Sequence, residues 1–158
     1  GYRTVILGSG EPRYESAFEE LVKKYPGLLY FSSNFDDRLA HQIYAGSDIF
    51  LMPSQFEPCG IGQLISFKYG TVPVVFKTGG LADTVSDYDR VKRGGTGFVF
   101  HRHTKDELLV AIQRAGELFA DQKAWRELTT HVMRLNFSWR ESARRYMDLY
   151  VKVLSVGL

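Results

Sequence analysis

A single carboxylate, Glu57, lies in the segment PSQFEPCGIGQ (residues 53–63), between an apolar run and two glycines. Gly60 and Gly62 fall where we expect a helix to start, and the free N–H groups and positive dipole end of a helix start suit a pyrophosphate. A carboxylate three residues earlier can accept hydrogen bonds from neutral donors such as sugar hydroxyls. It can equally cap the helix through its N–H groups, so the spacing leaves both roles open.

Two further features belong to the same candidate site. Gly79 and Gly80 follow another apolar run, and a glycine pair lets another backbone segment come close to a ligand. Cys59 is the only cysteine, so no internal disulfide can form and a reducing compartment is indicated. Since no histidine lies near it in sequence, we expect Cys59 to be buried or to act through its backbone rather than as a nucleophile.

Other chemistries find little support. The segment GSGEPR (residues 8–13) has Arg13 where the dinucleotide-binding fingerprint needs a third glycine. His101 and His103 have no cysteine or carboxylate cluster around them, so we predict a surface pair, no metal site and no cofactor. The net charge of +2 is spread along the chain and gives no argument for nucleic acid. No apolar run approaches the about 18 residues that a membrane helix needs.

Alternating strands and helices must position these residues. The apolar and β-branched runs predict strands at 4–7, 28–31, 48–52, 72–76 and 97–100. Helical periodicity and capping patterns predict helices between and after them, including 60–69, and Thr104 with Glu107 is one capping-box pattern. Strands that are apolar on both faces indicate a Rossmann-like parallel α/β sheet with helices on both sides. Glycine and serine collect after four of the strands, at the edge where such sheets bind ligands.

Three blocks of the sequence resemble the glycogen and starch synthases, which are retaining glucosyltransferases of the two-lobed GT-B type. The blocks are IYAGSDIFLMPSQFEPCGIGQL, YGTVPVVFKTGGLADTV and the tail NFSWRESARRYMDLY. The resemblance covers nearly all of the chain and implies that residues 1–158 form a single nucleotide-sugar-binding domain. That domain would be the donor-binding C-terminal lobe of a longer enzyme, without its first strand–helix unit.

The resemblance also implies roles for individual residues. Glu57 matches the family glutamate that contacts the donor glucose and is needed for activity. The backbone at Cys59, Gly60 and Ile61 would touch the glucose and the phosphates. Phe35 matches an aromatic residue that stacks on adenine in related enzymes. The family often has a phosphate-binding threonine where this chain has Gly62, so any contact there must come from the main chain.

The implied reaction transfers glucose from ADP-glucose, or sometimes UDP-glucose, to the non-reducing end of an α-1,4-glucan. The glucan acceptor would bind the N-terminal lobe, and the leaving diphosphate would help to deprotonate the acceptor hydroxyl. The implied location is the cytoplasm, or the plastid in a plant. Two alternatives remain open: a non-catalytic nucleotide- or glycan-binding domain in which Glu57 only caps a helix, and another GT-B glycosyltransferase.

The resemblance further implies that the chain lacks the acceptor lobe and the Arg and Lys that bind the donor phosphates. We therefore expect the chain alone to show little or no synthase activity. The missing strand is central in the family's sheet. We expect either that its neighbouring strands pair with each other, that a second copy fills the gap by self-association, or that the chain is only marginally stable.

Overall fold

The computed structural model describes residues 1–34 and 36–156, with the side chains described as far as residue 155, and divides the chain into two compact units. The first unit, Gly1–Ser47, contains β1 (Thr4–Leu7), α1 (Pro12–Lys24), β2 (Leu29–Ser32) and α2 (Asp37–Gly46). β1 and β2 pair in parallel, with Thr4 opposite Leu29. Phe18 of α1 packs on Phe31 of β2, with their ring centroids 5.4 Å apart.

The second unit, Asp48–Leu158, contains the core of the protein. Its strands β3 (Ile49–Met52), β4 (Val72–Phe76) and β5 (Phe98–Phe100) form a parallel sheet in the order β3-β4-β5. Its helices are α3 (Ile61–Tyr69), α4 (Gly79–Thr84), α5 (Lys105–Ala120), α6 (Gln122–Met133) and α7 (Trp139–Val156).

β4 is the central strand of this sheet, and its sequence explains its place. Successive side chains of a strand point to opposite faces, yet residues 72–75 are all buried, so both faces of β4 are covered. The buried apolar side chains packed around it come from the second unit and include Phe67, Leu81, Phe98, Leu118, Trp125 and Val132.

The predicted parallel α/β architecture is confirmed, with small shifts at the element ends. β2 runs one residue later than predicted, and α3 begins at Ile61 because Gly60 takes a left-handed conformation as its N-cap. The short helix α4 was not predicted. The described strands form two separate sheets, so the described part of the chain gives no re-paired continuous sheet. The interpretation of residues 1–158 as one donor-binding domain stays a prediction.

The capping-box pattern of Thr104 and Glu107 is formed only in part. The Thr104 hydroxyl accepts a hydrogen bond from the Glu107 N–H, as predicted, but the Glu107 carboxylate binds Arg102 and the His101 N–H instead of completing the box. The hydrogen bonds from Arg102 and His101 hold the pKa of Glu107 below its usual value.

Within the described residues, no helix is both long and apolar enough to cross a membrane.

Candidate functional site

The loop between β3 and α3 presents Glu57 beside the start of a helix. Its side chain is half-buried, and its Oε1 accepts a hydrogen bond of 3.1 Å from the Gly60 N–H. Gly60 has φ 70°, a left-handed conformation that disfavours any residue with a Cβ. The carboxylate therefore caps the helix start, which is one of the two roles that the sequence left open. This contact uses one of about four lone-pair sites on the two carboxylate oxygens.

The first turn of α3 supplies the groups that were predicted to bind phosphates. The N–H groups of Ile61 and Gly62 lie in this first turn, where an α-helix offers no internal acceptor. The positive end of the helix dipole also lies there. Because Gly62 has no side chain, its contribution to anion binding is limited to the main chain.

The corner between β4 and α4 touches the Glu57 loop through its backbone. The Gly80 N–H donates a 3.0 Å hydrogen bond to the Glu57 carbonyl. A Cβ added at Gly79 would overlap the Glu57 carbonyl, and one added at Gly80 would overlap the Cys59 carbonyl. The glycine pair thus admits the protein's own loop, and what these two residues do toward a ligand stays a prediction.

A buried polar side chain that the sequence reasoning missed lies under this contact. Gln63 is fully buried, and its Nε2 donates a 2.9 Å hydrogen bond to the Thr84 hydroxyl oxygen. The Thr84 hydroxyl in turn donates to the Gly80 carbonyl at 2.6 Å. The Gln63 Oε1 is buried and has no hydrogen-bond partner among the described residues, a condition that costs about 1–3 kcal/mol. The sequence signal that could have identified Gln63 is its place on the face of α3 that also carries the buried Ser66 and Phe67.

The remaining predicted residues have different outcomes. Of the two roles expected for Cys59, a buried side chain or a backbone contact, the structure shows the second: the thiol is exposed, and the Cys59 carbonyl lies against Gly80. Phe35 lies outside the described residues. His103 is on the surface as predicted, but its Nε2–H also donates to the Pro53 carbonyl at 2.8 Å, which fastens the start of the Glu57 loop.

Among the residues that the structure describes, no group of three or more His, Cys, Asp or Glu side chains could hold a metal ion. The site offers three kinds of group: one carboxylate, main-chain N–H donors and a close-packed glycine corner. These suit the binding of a molecule that carries both hydroxyl groups and an anionic diphosphate.

Comparison with known proteins identifies the family. Residues 1–131 match the family described as glycosyl transferases group 1. The glycogen synthase of Desulfitobacterium hafniense (strain DSM 10664 / DCB-2) is 48% identical over 149 residues, which are 94% of this chain and 32% of that protein. The glycogen synthase of Desulforudis audaxviator (strain MP104C) is 51% identical over 147 residues, which are 92% of this chain and 29% of that protein.

A solved structure gives the same result. The catalytic domain of starch synthase IV from Arabidopsis thaliana, bound to ADP and acarbose, superimposes with a TM-score of 0.83 at 35% identity. The match covers 97% of this chain and 32% of that one, so the chain spans about a third of the length of these relatives. These similarities confirm the resemblance to glycogen and starch synthases and the Rossmann-like GT-B fold class. The chain belongs to the glycosyl transferases group 1 family.

Proposed function

We propose that this chain is the donor-binding part of an α-1,4-glucan synthase and that it binds ADP-glucose, with UDP-glucose as the weaker candidate. The observation that carries the proposal is the half-buried Glu57 carboxylate beside the first-turn amides of α3. The Arabidopsis starch synthase at 35% identity was solved with ADP, which favours an adenine nucleotide. We place this protein in the cytoplasm, in agreement with its single cysteine, which indicates a reducing compartment.

The chain's own groups have distinct tasks in this proposal. The N–H groups of Ile61 and Gly62 donate to the diphosphate, and the helix dipole favours its negative charge. The Glu57 carboxylate keeps its hydrogen bond to Gly60 and accepts further hydrogen bonds from the glucose hydroxyls. The nucleotide and the sugar are thereby held on either side of the bond that breaks.

The proposed reaction is retaining glucosyl transfer to the non-reducing end of the glucan. The bond between the anomeric carbon and the diphosphate oxygen breaks, and a bond forms from that carbon to the acceptor hydroxyl oxygen. The hydroxyl proton passes to the leaving diphosphate, so no protein nucleophile is needed. The protein acts by positioning the donor and by stabilising charge as it develops. The acceptor glucan would bind outside this chain.

Calorimetry on the 158-residue chain tests the proposal. We expect binding of ADP-glucose and of ADP, with the ratio of the two affinities falling when Glu57 is replaced by Gln. A maltooligosaccharide without a nucleotide should not bind. If the oligosaccharide binds and ADP-glucose does not, the chain is a glycan-binding module, and the synthase proposal is wrong.

A further inference from the structure

The fully buried Gln63 is connected to Glu57 from two directions. Its Nε2 binds the Thr84 hydroxyl, which binds the Gly80 carbonyl, while the Gly80 N–H binds the Glu57 carbonyl. The position of the Glu57 main chain therefore depends on a relay of hydrogen bonds that begins at Gln63.

The second connection runs through Gly60. A Cβ at position 60 would lie 2.5 Å from both the Nε2 and the Oε1 of Gln63, so the Gln63 amide lies directly against the Gly60 backbone. The Gly60 N–H is the group that binds the Glu57 carboxylate. Gln63 thus supports the donor that orients the carboxylate as well as the chain that carries it.

The hydrogen bonds fix which end of the Gln63 amide faces Thr84. The Thr84 hydroxyl has one hydrogen, and it is donated to the Gly80 carbonyl at 2.6 Å. Thr84 must therefore accept the hydrogen bond from Gln63, so Nε2 faces Thr84. This arrangement leaves the buried Oε1, which is an acceptor, without a hydrogen-bond donor among the residues that the structure describes.

An unpaired buried carbonyl lowers stability, and an apolar side chain of similar size would avoid that loss. The hydrogen bond from Gln63 to Thr84 contributes about 0.5–1.5 kcal/mol, which does not exceed the about 1–3 kcal/mol that the unpaired carbonyl costs, so fold stability alone does not explain a glutamine at this place. We propose that Gln63 and Thr84 are positioning residues, which hold the β3–α3 and β4–α4 corners together so that the Glu57 carboxylate faces the donor sugar. This inference rests on the proposed function, since it assigns Glu57 to the sugar.

The test compares Gln63→Met with the unmodified chain. Methionine has a similar volume and flexibility but lacks the amide, so the relay is cut while the core stays filled. We expect an equal or higher melting temperature, because the unpaired carbonyl is removed. We expect the affinity for ADP-glucose to fall about tenfold, which corresponds to the loss of one hydrogen bond between the sugar and the Glu57 carboxylate. The affinity for ADP should stay unchanged.

A matched pair at Thr84 gives an independent measurement if Gln63→Met does not fold. Thr84→Ser keeps the hydroxyl and should keep the ratio of ADP-glucose to ADP affinity. Thr84→Val removes the hydroxyl at nearly the same volume and should lower that ratio. The rate at which iodoacetamide alkylates Cys59, the single thiol, should change in Thr84→Val and not in Thr84→Ser, because the relay ends beside its backbone.

The outcomes separate this inference from the proposed function. If Glu57→Gln leaves the affinity ratio unchanged, Glu57 does not contact the sugar and both proposals fail. If Glu57→Gln lowers the ratio but Gln63→Met and Thr84→Val do not, only the positioning inference fails. It also fails if these two variants weaken ADP and ADP-glucose equally, because that would be a general structural effect.

Discussion

Replacement of Glu57 by Gln separates sugar binding from helix capping. Glutamine keeps a side-chain carbonyl of the same reach, so the 3.1 Å contact with the Gly60 N–H can persist. What is lost is the negative charge. The loss of its attraction to the positive end of α3 should cost about 0.3–1 kcal/mol of unfolding free energy.

The expected loss of donor binding is larger. A hydrogen bond to a charged group contributes about 1.5–3 kcal/mol, so we expect ADP-glucose affinity to fall roughly 10- to 150-fold. ADP affinity should stay the same or rise, because a negative charge near the diphosphate has been removed. Calorimetric titrations of ADP-glucose and ADP against both chains give the two affinities directly.

Glu57→Ala provides the matched comparison for the capping role. It removes the acceptor of the Gly60 N–H as well as the charge, and we expect the free energy of unfolding to fall by about 0.5–2 kcal/mol, the range found when a side chain that accepts a hydrogen bond at a helix start is truncated. For a chain of this size, each kilocalorie corresponds to about 2–4 °C in melting temperature. If Glu57→Gln lowers the melting temperature by more than about 2–4 °C and leaves the ratio of ADP-glucose affinity to ADP affinity unchanged, Glu57 acts as a helix cap and not as a sugar ligand.

Four other substitutions have defined outcomes. Gly80→Ala should lower the free energy of unfolding in urea by about 1–3 kcal/mol, because its Cβ would overlap the neighbouring loop backbone. Gly46→Ala, where a Cβ meets nothing within 4 Å, should instead raise it by up to about 1 kcal/mol. Phe67→Ala should cost about 3–5 kcal/mol because the ring is fully buried. In the folded chain the pKa of Glu107 is lowered, and the largest cause is its hydrogen bond with the Arg102 side chain. Its stabilising effect is present above the ordinary value of 4.5 and is lost as the pH falls through the folded value. Melting curves should therefore separate Glu107→Gln from the unmodified chain at neutral pH and converge in acid.

The results that would contradict these four expectations are equally defined. Equal stability of Gly80→Ala and Gly46→Ala would mean that the β3–α3 and β4–α4 corners can move apart at little cost in free energy. A small loss for Phe67→Ala would mean that the core around α3 collapses into the space left by the ring. A pH-independent effect of Glu107→Gln would show that its hydrogen bonds do not depend on its charge.

Local sequence signals predicted most of the elements because each depends on a short stretch. The apolar residues 72–76 coincide with β4, Gly70 ends α3 in a left-handed conformation, and Pro12 begins α1. The helix α4 was missed because a glycine pair after a strand is more typical of a turn. In the structure this pair forms the first turn of a six-residue helix.

The polar relay could not be predicted because it joins residues that are far apart in sequence. Gln63 and Thr84 are separated by 21 positions, and nothing local indicates that their side chains meet. Similarly, Gly79 and Gly80 indicate that some group comes close, but a glycine does not show which group. Only the packing of the β3–α3 and β4–α4 corners reveals that the group is the backbone of residues 57–59.

Capping and sugar binding by Glu57 are compatible, although the sequence presents them as alternatives. The Gly60 N–H occupies one lone-pair site on Oε1, and a carboxylate has about four such sites on its two oxygens. The capping bond fixes the carboxylate in one orientation before a ligand arrives, and so reduces the entropy that binding would otherwise cost. A cap that orients the carboxylate should therefore strengthen sugar binding. If this is correct, Glu57→Asp, whose shorter side chain cannot keep both the Gly60 contact and the same sugar contacts, should lose ADP-glucose affinity even though its charge is retained.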